Sequence, residues 1–139
     1  MTAASDFLEN KILDHTLRYS TAPYVAPTTL YLALFTGTPN TNLEAGTLTD
    51  EVVTSGSTGY ARKVITFAAA SAGTSNSNAT VTFDTATASW GTITSVAIVD
   101  SATRGAGNVL FYGSVTTSKT IDTGDTFQVT SGNLSISLA

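Results

Sequence analysis

The side chains best suited to catalysis are few and scattered in this chain of 139 residues. Cysteine is absent, and His15 is the only histidine. A histidine-based metal cluster cannot form from one histidine, and a Ser–His–Asp triad would have to recruit His15 from the N-terminal segment. No G-x-S-x-G nucleophile motif is present. We therefore interpret His15 as a residue on the face of a helix, and we expect the chain not to be an enzyme.

The acidic residues allow two other kinds of site, a calcium site and a glycosidase active site, and the sequence supports neither strongly. Asp122 and Asp125 share the stretch DTGDT, but a calcium site needs about six or more oxygen ligands, and a β-turn explains the spacing without a metal. A glycosidase needs two acids across a cleft, which Glu51, Asp84 and Asp100 could supply, although nothing marks a pair among them. We expect no metal and no cofactor.

Trp90 is the only tryptophan, and the sequence leaves two interpretations of it open. Together with Tyr60 or Tyr112, it could form the exposed aromatic platform of a carbohydrate-binding protein. A lone tryptophan in a small β-sandwich lies more often in the core, because its large apolar area favours burial.

The composition favours strands and excludes several classes of partner. The chain has 27 threonines, 15 serines and 11 glycines, and threonine suits the pleated surface of a sheet. Charged residues make up 12%, and the net charge is −4. The six basic residues form no basic stripe, so we expect no nucleic-acid binding. No apolar run approaches the roughly 18 residues of a membrane span, and the start of the chain lacks the pattern of a secretion signal.

One helix is predicted, over residues 5–19, with Ser5 or Asp6 as its N-cap. The stretch STAPYVAP at residues 20–27 follows it and contains two of the three prolines, which makes it a linker out of the helix. We therefore divide the chain into a helix and linker over 1–27 and a β-domain over 28–139.

The predicted helix carries two apolar lines. Leu8, Ile12 and Tyr19 fall on one line, and Leu13 and Leu17 form a second line roughly 140° away around the axis. One line could dock on the body of the protein while the other contacts a partner. Alternatively, a small domain covers both lines by itself.

Beyond the linker, the sequence alternates between strand and turn patterns with no second helix. About eight short strands spaced 8 to 15 residues apart predict an all-β domain, an antiparallel β-sandwich or jelly roll, preceded by the one N-terminal α-helix. The predicted strands lie at 29–37, 60–70, 79–86, 91–100, 109–115, around Ile121, at 127–129 and at 134–138.

Two of these strands are apolar enough to be covered on both faces. The run 29–37 is almost continuously apolar. In 91–100, Val96 and Ile98 point one way while Ala97 and Val99 point the other. The segment 38–59 is instead polar, with an acidic patch at Asp50 and Glu51 and one short strand expected at Val52–Val53. The pattern indicates a long excursion, which is either a contact arm or a solvated loop.

The order of the segments resembles a family of small phage virion proteins that are described as tail-fibre-like or head-decoration proteins. The residues that carry the resemblance are TLYLALFTGTP, GYARKVITFAAAS, WGTITSVAIVD, LFYGSV and the closing TGDTFQVTSGNLSISLA. The resemblance covers roughly residues 28 to 139, and Thr123–Phe127 departs slightly from the pattern of the family. These motifs are core and turn signatures, so they indicate fold and virion origin and do not separate head from tail.

The resemblance implies a structural role. We predict a capsid cement or decoration subunit that binds and stabilises the major capsid protein lattice of a tailed phage. It would be a homo-oligomer on the capsid surface, made in the host cytoplasm, without nucleic-acid or membrane partners. The alternative is a tail or tail-fibre component with host-glycan binding, although one domain of this size is short for a full fibre. The residues predicted to make the contact are Leu8, Ile12, Leu13, Leu17, Tyr24 and Val25.

Overall fold

The computed structural model describes residues 3–18 and 23–138 of the chain. They form a mostly β architecture with one long N-terminal helix, which confirms the predicted fold class. The elements are, in chain order, β1 (Ala3–Ala4), α1 (Asp6–Leu17), β2 (Leu30–Thr36), α2 (Asn40–Glu44), β3 (Lys63–Ile65), β4 (Thr74–Asn76), β5 (Val81–Thr82), β6 (Gly91–Val99), β7 (Val109–Ile121), β8 (Gln128–Val129) and β9 (Ser135–Ser137).

The main sheet has five antiparallel strands in the order β1-β7-β6-β2-β3. Two antiparallel two-stranded ladders, β4-β9 and β5-β8, form the opposite layer. The chain passes from one layer to the other after β3, where the Asn78 amide donates to the Thr66 carbonyl at 3.0 Å and the Ala68 amide donates to the Asn76 carbonyl at 2.9 Å. The result is a sandwich whose two layers share a continuous backbone hydrogen-bond network at that edge.

Strand β2 is buried on both faces, as predicted. Leu32 and Leu34 belong to the core between the main sheet and the ladders, whereas Ala33 and Phe35 belong to a second core on the far face; all four are 0% exposed. A strand in this position has no solvent-facing side, which explains why its sequence shows no polar alternation.

Strand β6 shows the same division and confirms the prediction for 91–100. Val96 and Ile98 pack in the core that faces the ladders, and Ala97 and Val99 pack in the second core. The second core is closed by Leu43 of α2 and by Leu48, which follows that helix.

Helix α2 was not predicted, because a five-residue helix is too short to show a period. The polar segment 38–59 was expected to be an excursion, yet Leu43 within it is 0% exposed. The predicted strand at Val52–Val53 is reduced to a bridge between Phe35 and Glu51, followed by a hydrogen bond of 3.0 Å from the Val52 amide to the Leu34 carbonyl.

Strand β7 is one strand of 13 residues, where two strands had been predicted. Its second half, VTTSKTI, is largely exposed and therefore lacks apolar alternation. The sequence consequently does not show that the strand at 109–115 continues without a break to Ile121. The register against β6 moves from Ile93 opposite Lys119 to Ser95 opposite Ser114, and residues 115–118 therefore form a bulge. The strand predicted at 60–70 is similarly confirmed only over β3.

The start of α1 agrees with its predicted cap. Ser5 has extended backbone angles and its hydroxyl accepts the Leu8 amide at 3.4 Å. The helix ends at Leu17, and Tyr19, predicted to lie on its apolar face, is outside the described residues, as are residues 20–22 of the predicted linker. Strand β1 was not predicted; it pairs Ala3 with Tyr112 and Ala4 with Phe111.

Candidate interaction surface

Helix α1 is anchored to the sheet through its first turn. Ser5 is fully buried: its amide donates to the Leu110 carbonyl at 2.9 Å, and its hydroxyl donates to the Val109 carbonyl. Leu8, one turn later, is also buried. These contacts fix the N-terminal end of α1 against β7, so the helix leaves the body of the protein from a defined position.

Three other apolar residues of α1 are left exposed by the described part of the chain. Ile12, Leu13 and Leu17 are 38%, 55% and 75% exposed. Of the residues predicted to make the contact, Leu8 is therefore used within the chain itself, while the second line, Leu13 and Leu17, faces solvent. Neighbouring exposed leucines on one helix are the kind of surface that marks an interaction site.

The linker lies beside the end of α1. The amide of Tyr24 donates to Nδ1 of His15 at 3.2 Å, which gives the only histidine a structural partner. Partial burial raises the pKa of Tyr24, and the negative charge of Asp100 raises it further. Val25, the next residue, is 81% exposed. We call Ile12, Leu13, Leu17 and Val25 the apolar arm.

A second apolar feature opens at the end of the sandwich where the main sheet separates from the β4-β9 ladder. This apolar groove has a volume of about 280 Å³. Ile98, Leu110 and Ile136 are its buried walls, Phe67 and Phe111 are half-buried, and Leu138 is 57% exposed at its rim. Nothing in its sequence pattern identified the groove, because its walls come from five separate segments.

The sequence suggested that Glu51 forms an acidic patch with Asp50, but Glu51 is buried. Its side chain is fully buried and forms a two-point ion pair with Arg62, with Nε–Oε1 and Nη2–Oε2 distances of 2.8 Å. The Tyr60 hydroxyl donates to Oε1 at 2.9 Å, and the Gly105 amide donates to Oε2 at 2.8 Å. With four donors on its two oxygens, this carboxylate has a structural role and does not face a cleft as a glycosidase acid would.

Tyr60 extends the network into the sheet. Its hydroxyl accepts the amide of Leu34 at 3.0 Å. Burial raises the pKa of Tyr60 far above its usual value of 10.0, and the adjacent Glu51 carboxylate raises it further. A neutral phenol at this position both donates to the carboxylate and accepts from the backbone.

Two arginines join the network to the turn between β6 and β7. Nη1 of Arg62 donates to the carbonyls of Ser101 and Ala106 at 2.7 and 2.8 Å. Arg104 donates to the carbonyls of Val52 and Glu51 at 2.6 and 2.7 Å. The turn SATRGAGN is thus held against the segment that precedes β3, although sequence patterns indicated only a polar turn.

The other two acids of the glycosidase alternative are also engaged elsewhere. Asp84 pairs with Lys63 at 2.8 Å on the surface. Asp100 accepts the amide and side chain of Asn108 at 2.6 and 2.8 Å, which closes the β6–β7 turn. These contacts do not bring Asp84, Asp100 and Glu51 together as a catalytic pair.

Asp122 and Asp125 form a turn, as predicted for the stretch DTGDT. The Asp122 amide donates to Oδ2 of Asp125 at 2.9 Å. Within residues 3–18 and 23–138 no group of three or more histidine, cysteine, aspartate or glutamate side chains could hold a metal ion. Neither helix in those ranges is long and apolar enough to span a membrane.

Trp90 is a core residue, so the aromatic platform proposed for glycan binding is wrong. It is 3% exposed, its Nε1 donates to the Thr58 carbonyl at 2.7 Å, and its ring packs edge-on against Tyr60 and Phe83 with centroid distances of 5.5 and 6.2 Å. Tyr112, the other candidate, is 9% exposed. Within the described ranges every aromatic side chain is at least partly buried.

Comparison with known proteins gives one clear result. A family model described as podophage GP4 fiber I protein gp80 matches residues 3–137. The match confirms the resemblance to small phage virion proteins and covers β1 and α1 as well as the sandwich. No curated protein matches the chain.

Proposed function

This chain belongs to the podophage GP4 fiber I protein gp80 family, and from that premise we propose that it is a structural subunit of a phage fibre. The observation that carries the proposal is the match over residues 3–137, which includes the arm as well as the sandwich. The description of the family favours the fibre alternative over the capsid decoration subunit that we predicted first. We propose that the role is assembly and not catalysis.

The apolar arm supplies a physical basis for assembly. Burying a leucine or valine side chain contributes about 1.5–3 kcal/mol, and Leu13, Leu17 and Val25 are all more than half exposed in the single chain. One such contact is weak, because binding also costs translational and rotational freedom. Repetition along an assembly makes it effective, since each subunit is held close to its neighbours.

The location of the protein in the virion is the decisive measurement. We would reconstruct the particle by electron cryomicroscopy and search for density that fits the sandwich with α1. We expect that density in the fibres. Density repeated over the icosahedral shell and bridging capsomers would overturn the fibre proposal and restore capsid decoration on the major capsid protein.

The contribution of the arm is tested by substituting Leu13→Asp together with Leu17→Asp. We expect the protein to stay folded and to be lost from the assembled particle. The matched control is Asn10→Asp with Thr16→Asp, which adds aspartates at two exposed positions of the same helix without removing apolar surface. Incorporation of the leucine variant at the level of the control would show that the arm is not the contact.

A further inference from the structure

We propose that His15 is a pH-sensitive latch, which fixes the linker against the end of α1 at neutral pH and releases it in acid. The contact that opens is the hydrogen bond of 3.2 Å from the Tyr24 amide to Nδ1 of His15. This inference goes beyond the proposed fibre function and does not rest on it, because it concerns two conformations of a single chain. It assigns a conformational role to the only histidine.

The latch depends on which protons the imidazole of His15 carries. A ring nitrogen of histidine accepts a hydrogen bond only in the neutral ring, when the other nitrogen holds the proton. Nδ1 accepts the Tyr24 amide, so the arrangement requires a neutral ring with its proton on Nε2. Protonation makes Nδ1 a donor that faces a second donor. The imidazolium form therefore cannot keep this hydrogen bond.

The composition of the chain makes a response to mild acid assignable. Histidine is the side chain that ordinarily titrates between about pH 5 and pH 8. The chain has one histidine and no cysteine, so His15 is the side chain on which such a change acts. The residue is exposed, and water can protonate it without prior opening of the fold.

The latch joins two parts of the chain away from their anchors. Ser5 and Leu8 hold the first turn of α1 against the sheet, and the linker is held where it enters β2. His15 lies instead in the last turn of α1, and Tyr24 lies in the middle of the linker. Loss of their hydrogen bond therefore lets the linker, with the exposed Val25, move relative to the helix.

The charges of α1 act on the latch in both directions. Lys11 precedes His15 by one helical turn and Arg18 follows it by nearly one, so both lie on its face and oppose a second positive charge. The adjacent Asp14, whose Oδ1 lies 3.4 Å from Nη1 of Arg18, favours the imidazolium. The carbonyl end of the helix favours it as well. Charge on the helix therefore excludes neither form of the ring.

The linker and the β6–β7 turn face the latch from the other side. Tyr24 and Asp100 line the same cavity as Lys11, between α1, the linker and the turn. Partial burial and the carboxylate of Asp100 raise the pKa of Tyr24, so its phenol stays neutral where histidine titrates. Asp100 is thus the charge on this side, and it attracts an imidazolium.

Hydrogen exchange at the Tyr24 amide, followed by NMR on the full chain, tests the latch. We would compare the natural protein with His15→Asn, whose side-chain oxygen can replace Nδ1 as an acceptor that does not titrate. The residues beside Tyr24 are identical in the two proteins, so the ratio of their exchange rates cancels the direct effect of pH. We expect this ratio to rise about three- to tenfold from about pH 7.5 to about pH 5.5, as one hydrogen bond is lost.

A second variant separates charge from acidity. His15→Lys supplies a permanent positive charge and no acceptor, so it mimics the acid form at neutral pH. We expect its Tyr24 amide to exchange about three- to tenfold faster than that of the natural protein at about pH 7.5. The amides of Leu34 and Ile98 in β2 and β6 are the control for folding, and they should exchange at equal rates in all three proteins.

Four results would overturn the inference. They are a rate ratio that does not change with pH, a natural Tyr24 rate in His15→Lys, a His15 ring that NMR shows to stay neutral down to about pH 5, and acid-induced exchange at Leu34 and Ile98. The last would mean that acid opens the fold instead of the latch. None of these measurements involves the virion, so the latch and the fibre proposal fail separately.

Discussion

Two regions of this molecule reverse the usual placement of charged and apolar side chains. The Glu51–Arg62 pair is fully buried, whereas Leu17 and Val25 are 75% and 81% exposed. The buried pair is tolerated because each of its groups has several hydrogen-bond partners. The exposed leucine and valine have no such compensation within the described residues. The first region therefore stabilises the fold of one chain, and we propose that the second contacts a partner.

The largest expected effect comes from breaking the buried pair. Glu51→Ala leaves the Arg62 guanidinium without its carboxylate and removes the acceptor of Tyr60 and Gly105. We expect the free energy of unfolding to fall by about 3–5 kcal/mol, measured by urea denaturation. A loss under about 1 kcal/mol would mean that the network does not hold the loops together.

Two leucines on α1 allow a buried and an exposed side chain to be compared on a single helix. Leu8→Ala removes a buried side chain and should cost about 2–5 kcal/mol. Leu17→Ala removes an exposed one and should change the free energy of unfolding of the monomer by no more than about 0.5 kcal/mol. Equal losses for the two variants in dilute solution would show that Leu17 is covered within its own chain.

Tyr60 makes the network sensitive to alkali. Because the pKa of Tyr60 is raised in the folded state, the unfolded chain releases the proton first as the pH passes 10.0. Stability should therefore be complete below pH 10.0 and should fall above it, since the unfolded state then binds fewer protons.

Thermal unfolding followed from about pH 9 to pH 11 would measure this dependence. Tyr60→Phe leaves the Leu34 amide without its acceptor, which should cost about 1–3 kcal/mol at neutral pH. Its stability should also fall less steeply with alkali than that of the natural protein. Because Tyr24 and Tyr112 also have raised pKa values, the difference between the two slopes is the relevant quantity. Identical slopes would mean that Tyr60 titrates normally.

The smallest effect on the free energy of unfolding is expected from breaking the surface ion pair between Lys63 and Asp84. Lys63 and Asp84 are separated by 2.8 Å, as in the buried pair, but the Asp84 side chain is 63% exposed. Lys63→Ala should lower the free energy of unfolding by about 1 kcal/mol or less, since solvent screens exposed pairs. A loss as large as that of Glu51→Ala would show that burial is not what distinguishes the two ion pairs.

The sequence predicted the parts of the fold that rest on local patterns. The strands at β2 and β6 were found because continuous apolar runs mark burial on both faces, and α1 was found from its cap and periodicity. Helix α2 and the second half of β7 were missed, because the first is too short to show a period and the second is polar on its exposed side.

The candidate surfaces also divide into those that local sequence patterns predict and those that they do not. The arm was predicted from the spacing of leucines along one helix, which is local information. The Glu51 network and the apolar groove were not predicted, because each gathers residues from distant segments. The pairing of GYAR with Glu51 had one weak signal: an arginine within a strand pattern of a chain that is only 12% charged needs a buried partner.

The path of the chain from the arm into the sheet decides how the protein responds to tension. Residues 23–29 lead directly into β2, which lies between β6 and β3. Both strands beside β2 run antiparallel to it, and a pull directed along β2 would load the ladder bonds on both of its sides in shear. Those bonds would then bear the load together instead of opening one after another, so a neighbour that grips the arm would pull on a strand that is held from both sides.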